Sequence, residues 1–273
     1  MYHPTIQRLD AAASELHEMG MQQARDGAFL LAGRVQQELL YKSPYPRNRR
    51  FLHTQWVWAL GHIGLLYQLI RWFKHNEPDT MLILEAAACA NKYFLEALSP
   101  HLILTSTIPN TDAALRNAVY FGCPDGIHSL VGFYKMIERD CAHVDLSLTS
   151  AQKEQADDLL AKLNVRRPFI ALHARGMADD AKRNPTREQV EDALTPYLAR
   201  GYGVVSTGLD KSEASAAYPS IITLADPHLA SFLLSASCDH FIGSNSGAWT
   251  VAHAFRRPVE ILNDYEKNAW IYP

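Results

Sequence analysis

Cys238-Asp239-His240-Phe241-Ile242-Gly243-Ser244-Asn245-Ser246-Gly247-Ala248-Trp249-Thr250-Val251-Ala252-His253-Ala254-Phe255 is a short apolar run that stops at a cluster of small polar residues, with a segment of helical pattern directly after it. In an open α/β sheet, ligands bind outside the carboxyl ends of the strands. Where a helix begins there, its N–H groups are unpaired and its dipole is positive, so an anion is favoured. Glycine lets the backbone approach closely, and Ser244, Asn245 and Ser246 add side-chain donors. The stretch predicts a phosphate or diphosphate site over residues 244–247.

Working outward, the same alternation of strand and helix fills the second half of the chain. Strand patterns fall at 169–172, 203–207, 221–224, 240–243 and 258–262, and helix patterns at 186–200, 228–237 and 249–255. Thr186 is placed to cap the first of these helices. An earlier series has strand candidates at 51–59, 81–84 and 101–104 and helix candidates at 65–75 and 91–98, with Gly61-His62-Ile63-Gly64 read as a tight turn. A helix over 145–163, opened by Ser147, Thr149 or Ser150, leads to the joint at Arg166-Arg167-Pro168. The β-α-β order implies parallel sheets with right-handed crossovers. Residues 5–40 carry helical spacing (Leu9, Leu16, Met19, Ala24) until Ser43-Pro44-Tyr45-Pro46 breaks the chain. The expected organisation is an N-terminal helical segment (1–46), a first Rossmann-like parallel-sheet domain (47–165) and a second (166–273), all of α/β class.

Composition narrows the function classes. A formal net charge of −3 over 273 residues gives no reason to expect a nucleic-acid partner. Arg47, Arg49 and Arg50 form a local basic cluster, read either as a solvated segment or as a contact to anionic lipid or a polyanionic acceptor. Cys89, Cys123, Cys141 and Cys238 lack metal or disulfide spacing, which fits reduced thiols and a cytoplasmic protein. The N-terminus has no signal-peptide pattern and no apolar run approaches a membrane span. Any membrane association is expected to be peripheral, at the inner membrane face.

Four further loops sit at strand ends. His173-Ala174-Arg175-Gly176 puts His173 and Arg175 on one side of the strand extension. The Arg175 fork suits phosphate oxygens, or pairs with Asp179 or Asp180. Gly61-His62-Ile63-Gly64 offers close backbone approach and, in His62, a general-base candidate; the alternative is a structural turn. Gly208 leaves room for a nucleotide, or belongs to an ordinary loop. Asp226 is an N-cap, or a contact to a nucleobase or ribose. The loop Gly243-Ser244-Asn245-Ser246-Gly247 is neither a nucleophile elbow, its middle residue being Asn245, nor a Walker A loop, since no G-K-[ST] follows. The histidines show no H-E-x-x-H spacing.

Together, the H-x-R element at 173–175, Arg200 to Gly208, Phe241 to Gly247 and Phe255-Arg256-Arg257-Pro258-Val259 resemble the nucleotide-sugar-binding domain of GT-B glycosyltransferases. The resemblance is to bacterial enzymes distantly akin to heptosyltransferases and O-fucosyltransferases, and covers about residues 168–263. It implies a donor diphosphate held by Arg175 and the loop Ser244, Asn245, Ser246 and Gly247, with His173 also on the donor-binding side. It implies a nucleoside near Gly208 and Asp226, and an acceptor side that includes Gly61, His62 and Gly64. It further implies metal-independent transfer with no cofactor beyond the nucleotide-diphosphate sugar, to a glycan or lipid-linked acceptor. His62 and Arg175 are then the catalytic candidates. The chain is short for two full domains of this type and ends at Tyr272-Pro273, which implies an acceptor side that is minimal or completed by a partner. Two other readings share this pattern: a sugar-nucleotide hydrolase, with His62 activating water, and a non-catalytic glycan- or nucleotide-binding subunit.

Overall fold

The computed structural model describes residues 49–86, 89–106, 108, 118–119, 130–176, 184–210, 212–244 and 246–262. The expected helical segment 1–46, Asp179, Asp180 and Asn245 lie outside the described residues. Two compact units emerge. One gathers the described residues within 1–58, 65–90 and 98–144, and the other those within 59–64, 91–97 and 145–273.

The first unit is built on β1 (Arg49–Leu52), β2 (Met81–Glu85), β3 (Ile103–Thr105) and β4 (Ala118–Val119). They form one parallel sheet of order β3-β2-β1-β4. Helix α1 (Leu60–Asn76) carries Leu66, Leu69, Ile70 and Phe73 into the core. The aromatic stretch 51–59 does not continue as a strand. The chain leaves β1 at His53 and turns through a 3-10 segment at Thr54–Val57, where the Trp56 N–H donates to the His53 carbonyl at 3.1 Å. Trp56 is then fully buried, its indole N–H donating to the Val119 carbonyl at 3.3 Å. Gly61-His62-Ile63-Gly64 is correspondingly the first turn of α1 and not a tight turn before it.

A buried arginine fixes the far end of this unit. Arg71 is 1% exposed. Its guanidinium donates to Gln68 Oε1 at 2.9 Å, to Glu138 Oε1, and to the carbonyls of Cys141 at 2.6 Å, Ile137 at 3.3 Å and Ala142 at 3.3 Å. Helix α3 (Leu130–Asp140) ends there. The Cys141 and Ala142 carbonyls lie just past the helix end, and the Ile137 carbonyl also accepts from the Cys141 N–H at 2.9 Å; the guanidinium gathers them and meets the negative end of the dipole. The short helix α2 (Lys92–Leu98) precedes α3 in the chain.

In the second unit, β5 (Phe169–His173), β6 (Gly203–Ser206), β7 (His240–Ser244) and β8 (Val259–Leu262) make a parallel sheet of order β6-β5-β7-β8. Central strand β5 is buried on both faces, hence its unbroken apolar sequence. Helix α5 (Arg187–Leu198) packs Val190 and Leu194 onto Ile170, Leu172, Val204 and Ile242, each such side chain contributing about 1.5–3 kcal/mol on burial. Capping boxes open α5 at Thr186 with Gln189, and α4 (Ser150–Lys162) at Thr149 with Gln152. Helix α6 (Pro227–Ser237) packs against α4 and against the six-residue α7 (Trp249–Ala254). The run 221–224 is not a strand: its N-cap Ser220 accepts from the Ile222 N–H and the chain closes a 3-10 turn at Ile221–Thr223.

Candidate functional site

Strand order locates the site in the second unit. The chain moves from β5 to β6 on one side, then returns across β5 to lay down β7 and β8 on the other. Consecutive crossovers of one hand then leave toward opposite faces, and the gap between β5 and β7 is the topological switch point at which open sheets bind ligands. His173 ends β5 and Ser244 ends β7, while Ser206 ends β6 alongside. The structure therefore brings His173, Arg175, Gly208 and the loop after Ser244 to one edge.

Ser244 ties that edge together. It is wholly buried; its Oγ accepts from the Arg175 backbone N–H at 2.8 Å and donates to the His173 carbonyl at 3.2 Å. Both directions of the hydroxyl thus serve the backbone leaving β5. Ser212 Oγ donates to the Arg175 carbonyl at 3.4 Å. Arg175 is anchored on both sides of its peptide while its side chain keeps partial exposure. Gly243 is required where it stands, because a Cβ there would lie 2.9 Å from the His173 carbonyl oxygen.

His173 carries a shifted imidazole. Burial lowers its pKa to about 4, and Arg175 adds to the lowering against opposing contributions from Asp210 and a backbone hydrogen bond with Thr207. The ring is neutral at pH 7, so it brings no positive charge to a phosphate. Thr207 is itself held: its N–H donates to the Leu172 carbonyl at 2.7 Å and its carbonyl accepts from Ser231 Oγ at 3.2 Å.

The glycine turn 61–64 meets the loop after β7 within the same unit. A Cβ on Gly247 would stand 2.1 Å from the Gly61 nitrogen, and a Cβ on Gly64 would stand 2.4 Å from Thr250 Cβ. These glycines let the first turn of α1 lie directly on residues 247–250, where Thr250 Oγ1 donates to the Gly247 carbonyl at 2.6 Å. The half-buried His62 sits in that turn, beside the residues that follow Ser244. Ser246 Oγ accepts from the Ala248 N–H at 3.4 Å.

Asp226 lies elsewhere. Its Oδ1 accepts from the Leu229 N–H at 2.9 Å, capping α6, and its Oδ2 accepts from the Tyr93 hydroxyl. The Tyr93 bond, followed by the Leu229 bond, lowers the Asp226 pKa. Both oxygens have structural partners, the N-cap role that its position before Pro227 suggested.

One pair escaped the sequence reading. His53 Nδ1 lies 3.5 Å from Glu85 Oε2, at the carboxyl ends of β1 and β2 in the first unit. Burial lowers the His53 pKa, and the Glu85 carboxylate opposes the shift. The signal was a histidine at a strand end, hidden because 51–59 reads as one continuous strand.

No protein-family model matches the chain, and no curated protein matches its sequence. Solved structures do share the fold. A glycosyl transferase family 9 protein from Veillonella parvula superposes with a TM-score of 0.51 at 10% identity, covering 80% of this chain and 81% of the other. The iron-containing dodecameric glycosyltransferase TibC from enterotoxigenic E. coli gives 0.50 at 16% identity, over 83% of this chain and 61% of that one. TibC has also been solved with ADP-D-beta-D-heptose, and that complex matches at 0.50 and 15% identity over the same shares. The likeness is one of fold: the two parallel-sheet α/β units are of the GT-B type found in heptosyltransferases and their relatives.

Proposed function

We propose that this chain is a glycosyltransferase that moves a sugar from a nucleotide-diphosphate donor to a hydroxyl acceptor, without a metal ion. The observation that carries the reading is that the chain leaves β5 and β7 side by side at the switch point, with Ser244 fixing the Arg175 backbone. Leaving-group departure places charge on the diphosphate. The Arg175 guanidinium, carried on a backbone that Ser244 fixes, meets that charge as it develops. Support for a nucleotide-sugar donor comes from the shared fold, one member of which was solved with ADP-D-beta-D-heptose. In this reading His62 takes the proton from the acceptor hydroxyl, favoured by the packing of its turn on Gly247, and the first unit recognises a glycan or lipid-linked acceptor.

The test is calorimetric titration of the chain with ADP, GDP, UDP, CDP and dTDP, followed by transfer assays in EDTA with the matching nucleotide sugar. Binding of one diphosphate, and its loss together with transfer in Arg175→Ala, is the expected result. Binding of none overturns the reading. Rapid donor consumption with no acceptor present identifies a hydrolase instead.

A further inference from the structure

The basic cluster of the sequence is not a free surface, because Arg50 is 6% exposed and donates to Glu77 Oε2 at 3.0 Å. Folding gathers a different set of cations. The strands of the second sheet are parallel, so the linkers that enter them, 163–168, 199–202, 238–239 and 255–258, lie along one edge, at the amino ends. Backbone bonds hold this row together: the Gly203 N–H donates to the Pro168 carbonyl at 2.8 Å, the Asp239 N–H to the Phe169 carbonyl at 3.0 Å, and the Phe241 N–H to the Pro258 carbonyl at 2.9 Å. The four linkers carry Arg166, Arg167, Arg200, Arg256 and Arg257, all exposed, against one carboxylate, Asp239. Asp239 Oδ2 accepts from the Phe169 N–H at 2.8 Å.

Cations belong at helix C-termini, and three of these arginines have that task. Arg167 Nη1 donates to the Ser237 carbonyl at 3.0 Å, Arg257 Nε to the Ala236 carbonyl at 2.9 Å and Arg200 Nε to the Pro196 carbonyl at 3.0 Å. Arg167 also pairs with Asp157 at 2.8 Å. Arg166 and Arg256 make no side-chain bond among the described residues. Arg256 is, in addition, strained. The chain leaves α4, α5 and α7 through a residue of positive φ: Asn164 at 54°, Gly201 at 81° and Arg256 at 57°. In each case the next N–H closes the turn on a carbonyl five residues back, Val165 on Leu160 at 2.9 Å, Tyr202 on Tyr197 at 3.2 Å and Arg257 on Ala252 at 2.9 Å. Glycine and asparagine suit this left-handed position. Arginine does not, so its presence at 256 answers to something outside the local fold.

We propose that this arginine-lined edge docks on an anionic bilayer surface, with its guanidiniums on lipid phosphates. The arginine fork matches phosphate oxygens, and an anionic leaflet attracts basic groups held within a Debye length of it. The apolar groups of the edge fit the same occupant. Leu198, 45% exposed, and the exposed Pro168 and Pro258 are scattered among the arginines. Such a thin fringe enters the headgroup layer beside arginine stems, whereas a protein interface is built around a buried apolar core. The candidate donor site is separate: β5 and β7 end at His173 and Ser244, at the opposite edge of the same sheet. A chain docked by its amino-end linkers turns that opposite edge to the aqueous side, from which a soluble nucleotide arrives.

The test is co-sedimentation of the full chain with vesicles of phosphatidylcholine alone and of phosphatidylcholine mixed with phosphatidylglycerol. Wild type binds the mixed vesicles at low salt and leaves them at high salt, where the attraction is screened. It does not bind phosphatidylcholine alone. The double variant Arg166→Gln, Arg256→Gly binds the mixed vesicles about thirtyfold more weakly, about fivefold for each arginine lost. Glycine relieves the left-handed strain, so Arg256→Gly alone unfolds at or above the wild-type temperature while binding more weakly, which a merely structural arginine would not do. Wild type that sediments with neither vesicle, or equally with both, overturns the surface, as does a double variant that binds as wild type does. Binding of polyglutamate without binding of the mixed vesicles assigns the edge to an acidic protein and overturns the bilayer. The donor reading stands or falls separately, on nucleotide calorimetry with no vesicle present.

Discussion

The backbone N–H of Arg175 donates to Oγ of Ser244 at 2.8 Å, across the gap between the two central strands of the second sheet. The same hydroxyl donates to the His173 carbonyl at 3.2 Å. One buried side chain from β7 thus fixes the two peptides on which the chain leaves β5. Ser244→Ala leaves these groups without their partner in a site where no water replaces it readily, a loss of about 1–3 kcal/mol. Chemical denaturation should show that loss as a lower midpoint. Pyrophosphate affinity should fall with it, because the backbone that carries Arg175 is no longer fixed.

Gly247→Ala tests the contact with the first turn of α1. The added Cβ would sit 2.1 Å from the Gly61 nitrogen and 2.9 Å from the Leu60 carbonyl carbon, both backbone atoms that cannot rotate away. Overpacking of this kind costs about 1–3 kcal/mol, and here it displaces the His62 turn from the 247–250 loop. A lowered unfolding midpoint with a drop in transfer larger than the drop in donor affinity is the expected pattern, measured by denaturation and by steady-state assay.

This contact shows where sequence reading reached its limit. The buried strands of the second sheet were legible because strands covered on both faces must be apolar throughout, as Phe169-Ile170-Ala171-Leu172 is. The caps Thr186 and Asp226 were legible because capping is local. Gly61 and Gly64 were misread as turn formers since a glycine pair reads the same whether it bends a chain or admits a neighbour. Only the approach of Gly247 and Thr250, distant in sequence, distinguishes the two. The aromatic run after Leu52 read as strand because burial of Trp56 and Val57 looks alike in strand and in 3-10 turn. The run Ile221-Ile222-Thr223 failed similarly, β-branched residues being overruled by the local Ser220 bond. Which loops follow neighbouring strand ends was legible from the strand pattern; how their groups are held depended on pairings such as Ser244 with Arg175.

In the first unit, Arg71→Met should be severely destabilising. The guanidinium is 1% exposed and bonds Gln68, Glu138 and three carbonyls at the end of α3. Removing it leaves a carboxylate and helix-end carbonyls without their cation, for which about 3–5 kcal/mol is the usual cost of breaking a buried pair. Arg71→Lys should recover only part, because an ammonium cannot reach five acceptors spread over a planar fork. Denaturation midpoints ordered wild type, lysine, methionine would bear this out; a methionine variant as stable as wild type would not.

Acid should act on Asp226 through Tyr93. The hydroxyl bond from Tyr93 is the leading cause of the lowered Asp226 pKa, so the folded chain holds this carboxylate ionised below the usual range near 4. Its contribution is present above the unfolded pKa and is lost as pH falls through the folded one. Tyr93→Phe should therefore be less stable than wild type at pH 7, with the two variants converging below about pH 4. Urea denaturation at a series of pH values reads the convergence directly.

His173 gives a second acid window at higher pH. Burial holds its pKa at about 4 in the folded chain, against about 6.5 for a free imidazole. Between those values the unfolded chain carries a proton that the folded chain refuses, so stability rises with pH across the interval and falls on acidification. The contribution is complete above about pH 6.5 and disappears as pH drops towards about 4. His53 and His240, both also lowered by burial, slope the same way. The His173 share is therefore the difference between wild type and His173→Asn, and the variant should show the shallower dependence. A proton resonance from the His173 ring that stays fixed from pH 8 to 5.5 while exposed histidines titrate would establish the neutral form directly. A midpoint near 6.5 for that resonance would overturn the buried, neutral imidazole.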